Sequence, residues 1–269
     1  MLLLALAGCS TTRLVYDHAD IYLHWRATHY VELDDAARTE LDQRIGAFLA
    51  WHRSQALPKY AQILDEARRR FERRLQPADL VWGYDSVIAR AQEGLRAAAE
   101  RIAPLLDRLT AQQIAQLERR LGEDNRRFER ENLRGGERER RRRRTERNVE
   151  RLEDWVGKLS QAQLERVAQY SERSPLLDEL RERDHKRLQA EFLAIVRARE
   201  AKKRLPDYAA NWERGRESAY VTALEAARRE YFAMALDIER SLMPEQRRRA
   251  AAELSRYAED FRALARAAR

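Results

Sequence analysis

Apolar positions along this chain return every three or four residues, the spacing of one face of an α-helix. Leu41, Ile45, Phe48 and His52 make one such stripe. Leu80, Tyr84, Val87, Ala91, Leu95, Ala98 and Ile102 make a second, and Leu188, Phe192 and Ile195 a third. No alternating run is long enough to read as a strand. All six prolines, Pro58, Pro77, Pro104, Pro175, Pro206 and Pro244, stand where an apolar periodicity restarts. That placement suits the first helical turn, where the missing N–H costs nothing. The pattern predicts an all-α protein, an extended or layered multi-helix bundle of roughly nine or ten helices joined by short turns.

Two of the expected turns share a template. Leu109-Thr110-Ala111-Gln112-Gln113-Ile114 and Leu159-Ser160-Gln161-Ala162-Gln163-Leu164 both read leucine, hydroxyl residue, two variable positions, glutamine, apolar residue. This is a capping box with a hydrophobic staple. The hydroxyl of Thr110 or Ser160 accepts from the backbone N–H three residues on, Gln113 or Gln163 reaches back, and Leu109 or Leu159 packs on the following apolar residue. Weaker versions occur at Leu75-Gln76-Pro77-Ala78-Asp79 and Leu242-Met243-Pro244-Glu245-Gln246. The strong copies are similar to the LTxxQ signature of the periplasmic stress proteins that include the chaperone Spy. That resemblance implies a helical protein that binds unfolded clients on a cradle-shaped surface. Plain helix capping accounts for the same residues.

Composition agrees with the pattern. Charged residues make up 36% of the chain, and the remainder is rich in Ala and Leu and poor in β-branched residues, which favours helix over strand.

The N-terminus adds an address. An apolar run leads into Leu6-Ala7-Gly8-Cys9, which reads as a bacterial lipobox: residues 1–8 are expected to be a signal peptide and Cys9 the lipidated first residue of the mature chain. The run is too short to span a bilayer, and Cys9 is the sole cysteine, so no internal disulfide competes for it. No basic residue precedes Leu2, which points to a start upstream. Several acyl chains give a stable anchor. Ser10, rather than an aspartate, follows the cysteine, and in bacterial lipoproteins this favours the outer membrane, facing the periplasm. The lipobox, Leu14-Val15-Tyr16-Asp17, the aromatic stretch from Tyr22 to Tyr30 with Trp25, Trp51-His52-Arg53 and Leu57-Pro58-Lys59-Tyr60 together resemble an uncharacterised family of proteobacterial lipoproteins. That resemblance implies an all-helical envelope lipoprotein and no particular activity.

The net charge of +8 is local. From Arg126 to Arg151 there are twelve arginines and six acids, so this stretch supplies most of it. At its centre Arg138, Arg140, Arg141, Arg142, Arg143 and Arg144 follow the glycine doublet Gly135-Gly136, which can end one helix and free the chain to begin another. The doublet divides the mature sequence into helical halves, 9–134 and 137–269, which also read as one continuous domain. The arginines read as a solvated helix laced by Glu137 with Arg141 and Glu139 with Arg143. The alternative is a patch for anionic lipid or protein partners. Nucleic acid is not an expected partner of an exported protein.

Candidate chemistry is sparse. His18 and His29 share a helical face but stand about 16.5 Å apart along the axis, and His24 points elsewhere. No HExxH, CxxC, EF-hand loop, phosphate-cradling glycine loop or GxSxG elbow occurs, so no metal, cofactor or catalytic residue is expected. His52, on the apolar face beside Trp51, reads as a partly buried histidine bonded across a helix junction, with a pH-sensing or catalytic role as its alternative. The five tryptophans read as packing anchors, and the aromatic first helix as buried against the bundle, with the membrane interface beside the lipid as its alternative. The expected function is protein binding, as a chaperone-like or adaptor lipoprotein, without enzymatic activity. The alternative is an envelope tether acting through the basic helix.

Overall fold

In the computed structural model, which describes residues 11–267, every element is helical. Leu6, Ala7, Gly8 and Cys9 lie outside the described residues. The elements are α1 (Thr11–Asp17), α2 (Ala19–Tyr30), α3 (Asp35–Trp51), α4 (Leu57–Glu72), α5 (Pro77–Leu106), α6 (Ala111–Phe128), α7 (Glu137–Val156), α8 (Gln161–Arg173), α9 (Asp178–Arg197), α10 (Ala201–Ala210), α11 (Ser218–Arg240) and α12 (Pro244–Arg266). A π-helical turn at His52–Ala56 joins α3 to α4 without a break, and a second at Glu129–Leu133 extends α6. Joining α1 to α2 across His18 and α3 to α4 across the π turn leaves ten rods among the described residues. The all-α bundle expected from the apolar pattern is the observed fold.

Only some of the prolines behave as the periodicity suggested. Pro77 and Pro244 are the first residues of α5 and α12, Pro58 is the second of α4, and Pro175 lies in the turn before α9. Pro104 and Pro206 instead sit inside α5 and α10. A proline mid-helix leaves the carbonyl four residues back without its donor. For Pro206 that residue is Lys202, which is exposed, where water can serve the carbonyl. Beside Pro104 the next carbonyl along, Arg101 O, accepts from Arg44 Nη1 at 2.7 Å. The carbonyl that Pro104 itself leaves without a donor is that of Glu100, which like Lys202 is an exposed residue, so in both cases the cost falls where water can reach.

Two clusters of buried side chains organise the bundle, each where two interhelical turns meet. Val31 and Leu33 of the α2–α3 turn join Leu41 and Ile45 of α3, Leu109, Ile114 and Leu117 around the α5–α6 turn, and Val196 of α9. Val156 and Leu159 of the α7–α8 turn join Val167, Met234 and Ile238, with Leu242 of the α11–α12 turn beside them. A third cluster, with Ala99, Ala103, Ala201 and Leu205, lets α10 lie close against α5 through small side chains. Along α4 and α12, Ala61 and Ala258 are buried, and Tyr60 meets Phe261 edge-on at 6.0 Å. Helices preceding Gly135-Gly136 thus rest on helices following it. Gly135 has φ of 80°, a conformation that disfavours side chains, and Gly136 caps α7.

The first helix departs from expectation. Leu23, Ala27 and Tyr30 pack on the first cluster, but Leu14, Val15, Ile21, Tyr22 and Trp25 stay more than half exposed. The concentration of aromatic residues from Tyr16 to Tyr30 suggests burial, yet the bundle covers one side only.

Candidate functional site

The glutamines of the capping boxes do more than cap. Thr110 Oγ1 accepts from Gln113 N at 3.2 Å while Gln113 Oε1 accepts from Thr110 N at 2.8 Å. Ser160 and Gln163 repeat this at 3.3 and 2.9 Å. Leu109 with Ile114, and Leu159 with Leu164, share a cluster in each case, as a hydrophobic staple requires. Each glutamine then spends its free N–H₂ on a different turn. Gln113 Nε2 donates to Glu32 O at 2.7 Å, while Glu32 N donates to Gln116 Oε1 at 2.9 Å. Gln163 and Gln246, both buried, exchange amide hydrogen bonds at 3.0 and 3.1 Å, and Gln246 Nε2 also reaches Lys158 O at 2.8 Å. The LTxxQ-like motifs therefore act here as clamps between pairs of turns. A fifth leucine-plus-cap pair, Leu33-Asp34, escapes the sequence template because its N3 residue is Ala37, whose N–H Asp34 Oδ1 accepts at 2.8 Å.

The arginine run divides by helix geometry into faces with different tasks. Arg141 Nη1 donates to the carbonyls of Ser171, Glu172 and Ser174 at 2.6, 2.7 and 3.0 Å. Arg144 donates to Ser171, Ser174 and Pro175 carbonyls at 2.5, 2.8 and 2.8 Å, and stands over the Tyr170 ring at 5.6 Å. The Ser171, Glu172 and Ser174 oxygens are the orphan acceptors at the C-terminus of α8, where the helix dipole favours positive charge, and Pro175 O belongs to the turn that follows. Burial lowers the Arg144 guanidinium pKa from its usual value. The i,i+4 pairs Glu137–Arg141 and Glu139–Arg143 form at 2.5 and 2.7 Å, and Arg143 also reaches Arg134 O at 2.5 Å. Arg138 and Arg142 point outward; Arg142, 66% exposed, pairs only with Glu146, at 2.8 Å.

A third face of α7 lines a cleft of about 1190 Å³ bounded by α4, α5, α7 and α11 and the turn ahead of α9. Arg140, Arg144, Arg147 and Arg151 follow one another at spacings of four, three and four, a single helical stripe along one wall. The other wall is mostly apolar and aromatic, with Leu80, Tyr84, Val87 and Ile88 of α5 and Val221, Leu224, Tyr231 and Phe232 of α11, and it also carries the carboxylates of Asp79, Asp85 and Glu225. Val87 is 61% and Tyr231 43% exposed, although the Leu80-Tyr84-Val87 stripe reads from the sequence as a core face. The surrounding protein still pushes the Tyr231 phenol pKa up through desolvation. Arg228 stands over Tyr84 at 4.9 Å. Arg147, Arg151, Arg181 and Arg228 all line the cleft and hold no ion pair among the described residues. Ser174, fully buried, also lines it, with an Oγ that has no hydrogen-bond partner among the described residues. Such a site pairs apolar area with uncommitted guanidinium groups, which suits an elongated ligand bearing both apolar groups and anions.

Comparison with curated proteins and with solved structures returns no match. A family model does match: a family of unknown function, DUF6279, over residues 29–218. The chain belongs to the DUF6279 family. The DUF6279 segment runs from the end of α2 to the first residue of α11. It holds both strong capping boxes and the whole arginine stripe of α7. The α11 wall of the cleft, with Tyr231 and Phe232, and the Gln246 clamp lie beyond it.

Within the DUF6279 segment, His52 opens the first π turn, which inserts one extra residue into the helix and gives a hydrogen bond from Leu57 N to His52 O. Its Nδ1 is 2.7 Å from Tyr16 Oη, and the rings of Tyr16, Phe48, Trp51 and Tyr60 surround it at 5.5–6.2 Å. Burial lowers its pKa below 6.5. A histidine depressed in the folded state contributes stability that is full above its unfolded pKa and is lost as pH falls from there through the folded value. The melting temperature is therefore expected to fall between pH 7.5 and 5.5, and His52→Phe to flatten that slope, as scanning calorimetry at each pH would show. An unchanged slope in His52→Phe would place the proton uptake elsewhere. Among the described residues no group of His, Cys, Asp and Glu could hold a metal ion.

Proposed function

We propose that this protein is an envelope lipoprotein, anchored by acyl chains on Cys9 to the outer membrane and facing the periplasm, that binds partner or client proteins. The observation that carries the binding reading is the arginine stripe of α7 facing an apolar wall across an open cleft. An extended protein segment with aromatic or aliphatic side chains and interspersed carboxylates complements both walls. Apolar contacts supply affinity, and the uncommitted guanidinium groups select for acidic neighbours. The capping motifs contribute by holding the turns that fix these helices, so a chaperone-like role does not require them at the contact surface.

The purified chain is expected to suppress aggregation of an unfolded, acidic client at substoichiometric ratios. Arg147→Glu/Arg151→Glu is expected to lose most of that effect, since both side chains are exposed and hold no ion pair among the described residues. No suppression at molar excess would overturn the reading. The outward face of α7, with Arg138 and Arg142 exposed, favours a second reading, a tether that grips an anionic envelope component. In that case reversal at Arg138 and Arg142, rather than at Arg147 and Arg151, reduces partner capture, and the loss depends on salt.

A further inference from the structure

The two N-terminal helices carry apolar side chains on opposite faces, and the bundle occupies one. Projected at about 100° per residue and continued through His18, the side chains of Tyr16, Leu23, Ala27 and Tyr30 cluster within an arc of roughly 60°. These turn inward: Leu23, Ala27 and Tyr30 onto the first cluster and Tyr16 onto His52. Leu14, Val15, Ile21, Tyr22 and Trp25 occupy the opposite side, an arc of roughly 120°, and all five are more than half exposed. No Asp, Glu, Lys or Arg falls within that arc. His29 stacks on Trp25 at a ring separation of 6.1 Å and Tyr22 lies 6.0 Å from Trp25, so aromatic rings follow the aliphatic Leu14, Val15 and Ile21 along this face.

Where this face lies indicates what covers it. Only Ser10 lies between Cys9 and Thr11, so two residue steps separate them, a reach of at most about 7 Å. Acyl chains on Cys9 would therefore enter the bilayer next to the start of α1. Tryptophan and tyrosine settle at the headgroup level of a membrane and aliphatic side chains just below it. We propose that α1 and α2 lie in the membrane interface with Leu14, Val15, Ile21, Tyr22 and Trp25 inserted, so that the bundle stands on the bilayer at a fixed orientation instead of swinging on its lipid. The proposal rests on the lipidation of Cys9 for its geometry. The surface itself is testable without the lipid.

The full chain carrying Cys9→Ser is mixed with vesicles of zwitterionic phosphatidylcholine and followed by flotation and by quenching of tryptophan fluorescence with brominated acyl chains. Binding is expected, with little change on raising salt to about 1 M, because the inserted arc is uncharged. Adding Trp25→Phe should preserve flotation and remove the quenching. Adding Ile21→Ser, Tyr22→Ser and Trp25→Ser should reduce flotation roughly tenfold or more at unchanged helix content. Flotation of that triple variant equal to its parent overturns the proposal. So does a parent that ignores vesicles and sediments as a dimer which the triple variant dissolves. Palmitate incorporation at Cys9 is measured separately, and its failure would remove the lipid anchor while leaving the vesicle result to stand or fall alone.

Discussion

Gln163→Leu is expected to lower the unfolding free energy by about 2–4 kcal/mol. Gln163 is buried, and its side chain serves Ser160 N, Ser241 O and Gln246 Oε1 at 2.9, 3.2 and 3.0 Å. Removing it strands the Gln246 amide and those backbone groups in a place that water does not reach, and each unsatisfied group costs about 1–3 kcal/mol. The melting temperature of a chain this size should fall by about 2–4 °C per kcal/mol. Gln163→Leu/Gln246→Leu should cost less than the two single changes combined, because the amide pair is removed as a unit. Urea titrations of the three variants measure this coupling. A loss for Gln163→Leu no larger than for Gln161→Leu, exposed half a turn away, would contradict the clamp.

Arg144→Ala should be comparably destabilising, by about 2–4 kcal/mol, while Arg142→Ala should stay within about 0.5 kcal/mol of the parent. The two residues are near neighbours in one arginine run, so the contrast depends on the fold alone. Arg144 closes three carbonyls at the end of α8 and rests on Tyr170; its loss leaves the Pro175 carbonyl unpaired, leaves the Ser171 and Ser174 carbonyls to Arg141 alone, and empties the space over the Tyr170 ring. Arg142 makes a single exposed ion pair with Glu146, of the kind worth little. Lysine at position 144 should recover less than half of the loss, since an ammonium lacks the planar fork that reaches separate oxygens. Equal effects at 142 and 144 would mean that the run is a uniformly solvated helix.

These expectations mark where the sequence could be read and where it could not. Thr110-Gln113 and Ser160-Gln163 were legible as caps because a capping box is local, closed within four residues. The outward reach of Gln113 to Glu32 and of Gln163 to Gln246 was not, since it joins turns about 80 residues apart in the chain. The arginine run was legible as charge, but its division into clamp, cleft and solvent faces depends on where the end of α8 lies. Arg147 and Arg151 lay within the basic window without distinction, and a stripe at four-three-four spacing from Arg140 was the available signal. Val87 and Trp25 look like core from periodicity, yet both remain open: periodicity shows which residues share a face and leaves unstated what covers it.

The most direct test of the account introduces a photo-crosslinking phenylalanine derivative at Val87, in the apolar wall of the cleft, and at Arg142, on the outward face of α7, in cells expressing the full chain. The expected result is light-dependent adducts with protein from position 87 that disappear when Arg147→Glu and Arg151→Glu are added, and few or none from position 142. Equal protein adducts from both positions, or adducts from position 87 that survive the charge reversal, would contradict binding through the cleft.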